Sequence, residues 1–441
     1  MTNINENWQN KLYTGDNLYI LNGMNSESVD LIYLDPPFNS KRLYSAPVGS
    51  KAAGSSFKDM WTWADVDESF LEILATKYPE MTDFIKSIER VHSKGMMAYI
   101  TYMAERIVEL HRILKETGSF YLHCDPTASH YLKVLLDEIF GKENFRNEVV
   151  WCYKDNANSK KHYNKKHDII LFYSKTSNYY FNPYKILRDL SETTIKKYKY
   201  QDENGRYRLM GRGIVGSPIK SARDINPEWE KTNPELVFRH YLKDGALPLD
   251  WFEMAPINQN ATERTGYPTQ KPIALVERII KASCPEDGTV LDPFCGCATT
   301  CVAAQLLNRR WIGIDIEENA VSILHDRLHD LFNQKAVDFI NPKILPQRTD
   351  VKIEPITKNV KERLFEEQKG CCNGCGLEFN ILNLEVDHII PKSKGGGDYY
   401  ENYQLLCSSC NRTKGDRPME YLRTKIETRK RMIKNKVTFG G

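Results

Sequence analysis

A short motif after an apolar segment combines a carboxylate, two prolines and an aromatic ring. Asp35, Pro36, Pro37 and Phe38 directly follow Val29–Leu34. An exocyclic amine is a poor nucleophile because its lone pair is delocalised into the ring that bears it. A carboxylate and a proline carbonyl that accept hydrogen bonds from the amine would stabilise the positive charge that develops as it attacks an electrophile. An aromatic side chain beside them could stack on the ring. Residues of these types could therefore carry out chemistry on a ring-bound amine.

A second motif joins a short apolar strand, a tight turn and the start of a helix. Residues 291–300 have the sequence LDPFCGCATT. The small turn residues Gly296 and Ala298 would let the backbone approach a ligand closely. Asp315 ends the next apolar strand, where a carboxylate can accept hydrogen bonds from ribose hydroxyls. The motif predicts a nucleoside pocket formed by Asp292, Phe294, Gly296, Ala298 and Asp315.

Apolar segments alternate with segments of helical spacing along most of the chain. The predicted strands are Val29–Leu34, Ser119–His123, Glu148–Tyr153, Ile169–Tyr173, Thr289–Leu291 and Trp311–Ile314. The predicted helices are Tyr99–Lys115, Ala128–Phe140, a helix after Pro272, Thr299–Asn308 and a helix after the last strand. This alternation predicts an α/β fold, a mostly parallel twisted sheet with helices on both faces.

Three segments lack this alternation. Between about Asn182 and Gly266 turn residues multiply, which indicates either an irregular insertion or a small recognition subdomain. Lys41–Asp67 contains the sequence GSKAAGSS and is predicted to be a mobile loop. Residues 335–358 contain prolines without periodicity, which is typical of a linker.

The order of these motifs resembles that of the β class of DNA amino-methyltransferases, in which the catalytic motif precedes the cofactor motif. The family's Asp/Ser-Pro-Pro-aromatic tetrapeptide matches Asp35–Phe38, and its F-x-G-x-G loop matches Phe294–Ala298 with alanine in place of the last glycine. Its Thr-Gln-Lys-Pro segment matches Thr269–Pro272. Other segments that resemble the family are Gly15–Asp16, Gly118–Pro126 and Phe145–Glu148. The resemblance covers most of the first three quarters of the chain. It implies a Rossmann-like methyltransferase fold, S-adenosylmethionine as cofactor and double-stranded DNA as substrate.

The resemblance also implies roles for single residues. Asp35 and the Pro36 carbonyl would bind the amine, and Phe38 would stack on a base flipped out of the duplex. The cofactor would be bound by Asp292, Phe294, Gly296 and Ala298 in the turn, Asp315 at the ribose, Asp16 near the adenine moiety or the methionine end, and Thr269 and Lys271 near the carboxylate. For Asp16, Thr269 and Lys271, the alternative is an ordinary structural role.

The residue before the two prolines bears on the choice of base. Within the resembled family, aspartate at this position usually accompanies methylation of adenine N6, and serine accompanies cytosine N4. Asp35 therefore favours adenine, with cytosine as the alternative. RNA and protein-glutamine methyltransferases usually carry asparagine here, which argues against them.

The C-terminal part of the chain contains two C-x-x-C pairs. Cys372 with Cys375 and Cys407 with Cys410 have the spacing of a structural zinc site with four thiolates. Cys371 is left over, and a swap of register with Cys372 stays open. In a small module with little core, such a metal would supply much of the free energy of folding.

The segment between and after these pairs resembles the HNH nuclease family, a ββα-metal fold. The resemblance rests on Glu385–Pro391, Asn402 and Cys410–Arg412, with Asn411 in place of the last histidine. It implies that Asp387 and Asn411 hold a divalent cation such as Mg²⁺, that His388 activates water, and that Asn402 braces the histidine-bearing loop. Some modules of this shape only bind DNA, which is the alternative.

Composition sets limits on these interpretations. The chain has 441 residues, a length typical of two or three domains. Its net charge of +3 is too small to indicate nucleic acid. Two segments with clustered basic residues, 154–175 and 423–436, suit a polyanion, although a solvated surface is an equal alternative. The chain shows no apolar run long enough to cross a membrane and no signal-peptide pattern, so a cytoplasmic location is expected.

We therefore expect a methyltransferase domain over residues 1–334, with a target-recognition insertion at about 180–266. A linker (335–358), an HNH-like zinc module (359–418) and a basic tail (419–441) would follow. The favoured hypothesis is a single-chain restriction–modification protein that methylates adenine N6 and cuts DNA. The alternative is a DNA methyltransferase whose HNH-like module only binds DNA, and a third hypothesis is an RNA methyltransferase. Dimers are common in the resembled class, so a homodimer is possible on this ground, and the sequence requires no partner protein.

Overall fold

The structure is a computed structural model. It describes residues 10–40, 42–47, 49–62, 78–154, 159–213, 225, 227–331, 341–343, 345–394, 396–417, 419, 421–423, 425 and 426. Most of the predicted basic tail, part of the predicted linker and residues 63–67 of the predicted mobile loop lie outside the described residues.

The strands form one large sheet and three small ones. In chain order they are β1 (Lys11–Thr14), β2 (Val29–Leu34), β3 (Arg42–Ser45), β4 (Ser56–Asp59), β5 (Leu114–Cys124), β6 (Phe145–Cys152), β7 (His167–Ser174), β8 (Tyr200–Asp202), β9 (Gly205–Gly211), β10 (Val237–Tyr241), β11 (Trp251–Glu253), β12 (Thr289–Asp292), β13 (Arg310–Asp315), β14 (Leu384–His388) and β15 (Tyr403–Cys407). Each of the six predicted strands corresponds to a strand of the large sheet. Val29–Leu34 matches β2 at both ends, and the other five have shifted ends.

The large sheet has the strand order β1-β13-β12-β2-β5-β7-β6-β11. Strand β7 runs antiparallel to its neighbours β5 and β6, whereas the other neighbouring pairs are parallel. Every residue of β2 and of β12 is buried, as expected for central parallel strands that are covered on both faces. The predicted fold class, a mostly parallel α/β sheet with helices, is confirmed.

Helices connect and cover the strands. In chain order they are α1 (Asn17–Gly23), α2 (Pro79–Val91), α3 (Lys94–Ile113), α4 (Ser129–Phe140), α5 (Glu192–Ile195), α6 (Glu228–Thr232), α7 (Ile273–Ser283), α8 (Thr299–Leu306), α9 (Asn319–Leu331), α10 (Lys358–Glu367) and α11 (Ser408–Lys414). Among the described residues, no helix combines the length and the apolar character needed to cross a bilayer.

Helix α3 differs from the predicted helix Tyr99–Lys115 at both ends. It begins earlier because the Ser93 side chain accepts a hydrogen bond from the backbone N–H of Met96 and so caps the helix. It ends at Ile113 because the next residue, Leu114, already pairs with Val29 of the large sheet.

The predicted mobile loop Lys41–Asp67 is wrong for its described part, which forms an antiparallel hairpin. β3 pairs with β4 from Arg42 opposite Asp59 to Ser45 opposite Ser56. The carboxylate of the buried Asp59 accepts hydrogen bonds from the backbone N–H groups of Asn39 and Ser40, at 2.6 and 3.0 Å. These bonds tie the hairpin to the segment that follows the Asp-Pro-Pro-Phe motif.

Residues Asn182–Leu249 form a separate compact unit within the predicted insertion at 180–266. Its three-stranded antiparallel sheet has the order β10-β9-β8. Its small core consists of the buried residues Tyr207, Leu209, Ile225 and Val237. Of the two alternatives for this segment, the structure therefore shows a small subdomain rather than an irregular insertion.

The C-terminal module has a ββα arrangement. Strands β14 and β15 pair antiparallel, and α11 follows β15 directly. The described linker residues before α10 form hydrogen bonds with the chain just after α1. The Asn25 side chain donates to the Thr349 hydroxyl and accepts from the Thr349 N–H, each at 2.8 Å. The Asp350 carboxylate accepts from the N–H of Ser26 at 2.9 Å.

Candidate active site

A cavity of about 520 Å³ lies at the carboxyl ends of β2, β12 and β13. In open parallel sheets this edge is the usual ligand site. The cavity is lined by predicted residues from both motifs and from the Thr-Gln-Lys-Pro segment, namely Asp16, Asp35, Pro36, Pro37, Phe38, Thr269, Lys271, Asp292, Phe294, Gly296 and Asp315. The structure therefore brings together motifs that are far apart in the sequence.

The Asp35 carboxylate differs between its two oxygens. Oδ2 accepts a hydrogen bond from Lys271 Nζ at 2.6 Å. Oδ1 is buried and has no hydrogen-bond partner among the described residues. An unsatisfied buried acceptor is costly, so a ligand that donates a hydrogen bond would stabilise it. Lys271, predicted near the cofactor carboxylate, lines the cavity and pairs with Asp35, and its Nζ lies 5.1 Å from the ring centroid of Phe38.

The turn after β12 needs small residues for two physical reasons. Gly296 has φ +52°, and a Cβ there would approach the Tyr267 ring to 3.0 Å. Ala298 precedes α8 in the left-handed region, at φ +59°. This conformation costs roughly 1 kcal/mol of free energy for alanine, whereas glycine adopts it without this cost. Asp315 holds the turn, since its Oδ2 accepts from the Gly296 N–H at 2.6 Å.

Two cavity residues that the sequence did not predict hold Asp16 and the cofactor turn. Arg106, buried in the middle of α3, donates to Asp16 Oδ1 at 3.0 Å and to Asn17 Oδ1 at 2.7 Å. Asn17 in turn donates to the backbone carbonyl of Pro293 at 2.7 Å. Among the buried residues of α3 only Glu105 and Arg106 are charged, and this pair among apolar residues was the available signal for Arg106.

Asp292 is a buried carboxyl group beneath the cofactor turn. Burial raises its pKa to about 7, and the charges of Asp35 and Asp315 act in the same direction. Hydrogen bonds from Thr300 Oγ1 at 2.5 Å and from the Phe294 N–H at 3.0 Å oppose this shift only in part. Near neutral pH, Asp292 therefore changes between its neutral and charged forms.

We expect the stability of the protein to depend on pH through Asp292. Because its pKa in the folded chain lies above the ordinary value of 3.8, its contribution to the free energy of unfolding is complete below pH 3.8. The contribution is lost as the pH rises towards 7. Asp292→Asn should therefore gain stability relative to the wild type between pH 4 and about pH 8, measured as the difference in Tm. The same change at the exposed Asp326 is the control, and a Tm difference that does not change with pH would contradict the assignment.

The predicted zinc ligands lie together in the C-terminal module. One ligand atom from each of Cys372, Cys375, Cys407 and Cys410 lies within 4.8 Å of all the others. Cys371 is not part of this group. Four thiol groups clustered in this way fit a tetrahedral zinc site, which is the chemistry expected of this donor set.

Beside this cluster, the predicted nuclease residues have partners that the sequence did not indicate. His388 Nε2 lies 2.8 Å from Asp398 Oδ1. The Asp387 carboxylate accepts from the buried Lys414 at 3.0 Å and from Gln404 at 2.9 Å, both through Oδ2. The lysine ammonium therefore already balances part of the charge of the predicted cation ligand.

The two asparagines of the module have different surroundings. Asn402 is buried, accepts from the N–H of Ile390 at 2.9 Å, and donates to the carbonyls of Ile390 and Gly397 at 3.1 Å. It thereby connects the chain after His388 to the start of β15. Asn411 donates to Glu385 Oε2 at 2.5 Å.

An α/β sheet with these two motifs around one cavity defines a Rossmann-like methyltransferase. The family model described as DNA methylase, covering the N6 and N4 methyltransferases, matches residues 29–326, more than half of the chain. The chain therefore belongs to the N6/N4 DNA methylase family. A second model, described as HNH endonuclease, matches residues 372–417.

Curated relatives support the same family. The chain is 32% identical to the Type II methyltransferase M.EcaI of Enterobacter cloacae over 49% of this chain and 54% of that protein. It is 26% identical to the Type III restriction-modification enzyme StyLTI Mod subunit of Salmonella typhimurium, over 69% and 51% of the two chains. It is also 26% identical to the DNA adenine methyltransferase YhdJ of Escherichia coli, over 70% and 79%. The chain spans about half the length of the first two relatives.

Among solved structures, the chain is similar to the PvuII DNA methyltransferase, described as cytosine-N4-specific. That similarity has a TM-score of 0.42 and 14% identity, and it covers 73% of this chain and 91% of that one.

Proposed function

We propose that this protein transfers a methyl group from S-adenosylmethionine to adenine N6 in DNA. The main support is the Asp35 carboxylate, whose Oδ2 is held by Lys271 and whose buried Oδ1 has no partner among the described residues. A donor amine entering the cavity would satisfy Oδ1, and the same bond would stabilise the charge that develops on its nitrogen. The Pro36 carbonyl would accept the second N–H, and Phe38 would stack on the base.

The cavity residues fit the proposed cofactor. S-adenosylmethionine, when bound, supplies an electrophilic methyl group on a sulfonium centre. Gly296 lines the cavity, and a side chain there would crowd Tyr267, which lines it as well. Asp315 would accept hydrogen bonds from the ribose. Asp16, held by Arg106, would contact the adenine moiety or the methionine end. Lys271 would orient the Asp35 carboxylate.

Mass spectrometry of nucleosides tests this proposal. DNA that lacks modified bases is incubated with the protein and S-adenosylmethionine, then digested to nucleosides. N6-methyldeoxyadenosine is the expected product. N4-methyldeoxycytidine would support the cytosine alternative, and methylation of RNA in a competition with duplex DNA would support the third hypothesis. Methylation of none of these nucleic acids would contradict the proposal.

We further propose that the C-terminal module is a nuclease, so that the chain is a single-chain restriction–modification protein. Zn²⁺ bound by the four cysteines would stabilise the module. Asp387 and Asn411 provide oxygen donors, the type of ligand that Mg²⁺ prefers, and the cation would neutralise charge on the scissile phosphate. His388, held by Asp398, would take the proton of the attacking water. The alternative is a module that only binds DNA.

His388→Ala separates these alternatives. We expect it to abolish Mg²⁺-dependent cleavage of plasmid DNA, because no group remains to take the water proton, while the methylation rate stays within about twofold. Cleavage is followed on gels with unmethylated and premethylated plasmid, and the exposed His325→Ala is the control. If the wild type cuts neither substrate but the module shifts DNA in a gel, the binding alternative is supported.

The proposed partner is double-stranded DNA in the cytoplasm. The unit Asn182–Leu249 and the β3–β4 hairpin are the segments proposed to recognise the target sequence. A homodimer is proposed only from the resemblance to the family.

A further inference from the structure

A buried hydrogen-bonded chain lies next to the catalytic motif and contains none of the predicted site residues. Tyr33 on β2, His123 on β5 and Asp168 on β7 form it. The Tyr33 hydroxyl lies 2.9 Å from His123 Nδ1, and His123 Nε2 lies 3.1 Å from Asp168 Oδ2. Tyr33 is 1% exposed and His123 is fully buried. We call these three residues the Tyr33–His123–Asp168 chain.

The strand register explains why these residues meet. Tyr33 pairs with Tyr121, and His123 lies two residues further along the same strand. His123 pairs with Ile170, and Asp168 lies two residues from that partner. Side chains two residues apart on a strand point to the same face, so all three project from one face of neighbouring strands.

The two ends of the Tyr33–His123–Asp168 chain fix how His123 is bonded. Burial, together with the nearby carboxylates, raises the pKa of Tyr33 well above its usual range, so its hydroxyl keeps the proton. Burial also raises the pKa of Asp168, but the hydrogen bonds from His123 and Tyr153 and the charge of Lys271 outweigh it and hold that pKa below its usual value. His123 Nε2–H therefore donates to the Asp168 carboxylate. Nδ1 bonds the Tyr33 hydroxyl, accepting from it when the ring is neutral and donating to its oxygen when the ring is protonated.

The imidazole ring held in this way supports the ring of the catalytic motif. The ring centroids of His123 and Phe38 are 5.9 Å apart, with an angle of 27° between the planes. Trp151 packs against His123 in a T-shaped arrangement, with 5.6 Å between the ring centroids and 89° between the ring planes. With both nitrogens bonded, the imidazole cannot rotate without breaking two buried hydrogen bonds.

We propose that His123, fixed by Tyr33 and Asp168, is a positioning residue that holds Phe38 in the orientation in which it stacks on the extruded base. This role rests on the proposed methyltransferase function, which assigns base stacking to Phe38. Small misplacements of a positioning group cost large factors in rate because the reacting atoms must be aligned. Loss of the Tyr33–His123–Asp168 chain should therefore affect base placement and kcat rather than cofactor binding.

Tyr33→Phe and Asp168→Asn test the proposal with little change in volume. We expect each to lower kcat by about tenfold while the Kd for S-adenosylmethionine stays within about twofold. The matched control is Tyr121→Phe, which removes another buried hydroxyl on the same face, bonded to Ser283 Oγ at 2.7 Å. Base placement is measured on a duplex in which 2-aminopurine replaces the target adenine of a mapped methylation site. The fluorescence increase on base extrusion should be smaller in both variants than in the control.

The measurements distinguish a failure of the positioning role of His123 from a failure of the proposed methyltransferase function. Variants whose kcat equals that of Tyr121→Phe would overturn the inference, and so would losses of kcat that are matched by losses of cofactor affinity and Tm. Methylation by the wild type is measured first. A wild type that methylates no DNA would overturn the proposed function, and this inference with it, whereas an active wild type with unaffected variants overturns only the inference.

Discussion

Asp35→Asn is expected to lower kcat for methyl transfer by about 10²- to 10³-fold while S-adenosylmethionine still binds. The carboxylate offers a charged acceptor at Oδ1, and its Oδ2 is already held by Lys271. An asparagine is neutral, so it stabilises the developing positive charge on the amine less well. Single-turnover transfer of a labelled methyl group measures the rate of the step, and calorimetry measures cofactor binding.

Asp30→Asn is the matched control for this change. Asp30 lies on β2, the strand that directly precedes Asp35, is buried, and also pairs with a lysine, Lys115, at 2.9 Å. Its Oδ2 accepts from the N–H of Thr289, so its role is structural. We expect Asp30→Asn to lower Tm but to leave kcat within about twofold. Equal losses of kcat in the two variants would show that Asp35 acts through stability alone.

Cys372→Ser is expected to release the metal of the C-terminal module and to unfold that module, while the methyltransferase part stays folded. The four thiol groups lie within 4.8 Å of one another, and a structural zinc ion can contribute on the order of 10 kcal/mol to the folding of a small module. The small core around Cys372 and Cys407 cannot replace such a contribution. Zinc is measured per chain by atomic emission, and folding is followed by hydrogen exchange in residues 371–417.

Cys371→Ser controls for the loss of a thiol at the adjacent position. Cys371 lies outside the cluster of four thiols. The variant should keep one zinc ion per chain and the exchange protection of the wild type. A Cys372→Ser protein with full zinc content would contradict the assignment, and loss of zinc from Cys371→Ser instead would show that the register of the ligands is shifted by one residue.

Parts of the fold and of the candidate site could be predicted where residues close together in the sequence form a recognisable pattern. Asp35, Asp292 and Asp315 each follow or end an apolar strand, and such strands have a strong pattern in the sequence. Because parallel strands bring their carboxyl ends to one edge, residues far apart in the chain could be expected to line one cavity. The four cysteines were likewise predictable from spacing alone.

The remaining site residues depend on tertiary structure. His123 lies within a strand that is buried on both faces, and its partner Asp168 comes from β7, which inserts antiparallel between β5 and β6. Neither the strand order nor the register follows from local pattern. Arg106 lies in the middle of a helix, and its role depends on the proximity of Asp16.

The β3–β4 hairpin was missed for a related reason. Its strands are short, and the segment between them is rich in glycine and serine, which favours a loop. Its stability comes from contacts outside the hairpin. Asp59 bonds the chain after Phe38, and Asn319 of α9 donates to the hydroxyl of Ser55 at 2.8 Å.

Under the proposed mechanism, the Asp35 carboxylate also bears on how many methyl groups the amine receives. Because Oδ2 is bonded to Lys271, the proposed mechanism assigns Oδ1 and the Pro36 carbonyl as the acceptors for the two N–H groups of the amine. An unmodified amine has two N–H groups and can satisfy both. Once it carries one methyl group, a single N–H remains, and one of the two acceptors would lose its donor. A second transfer is therefore disfavoured, and the product should be the monomethylated base.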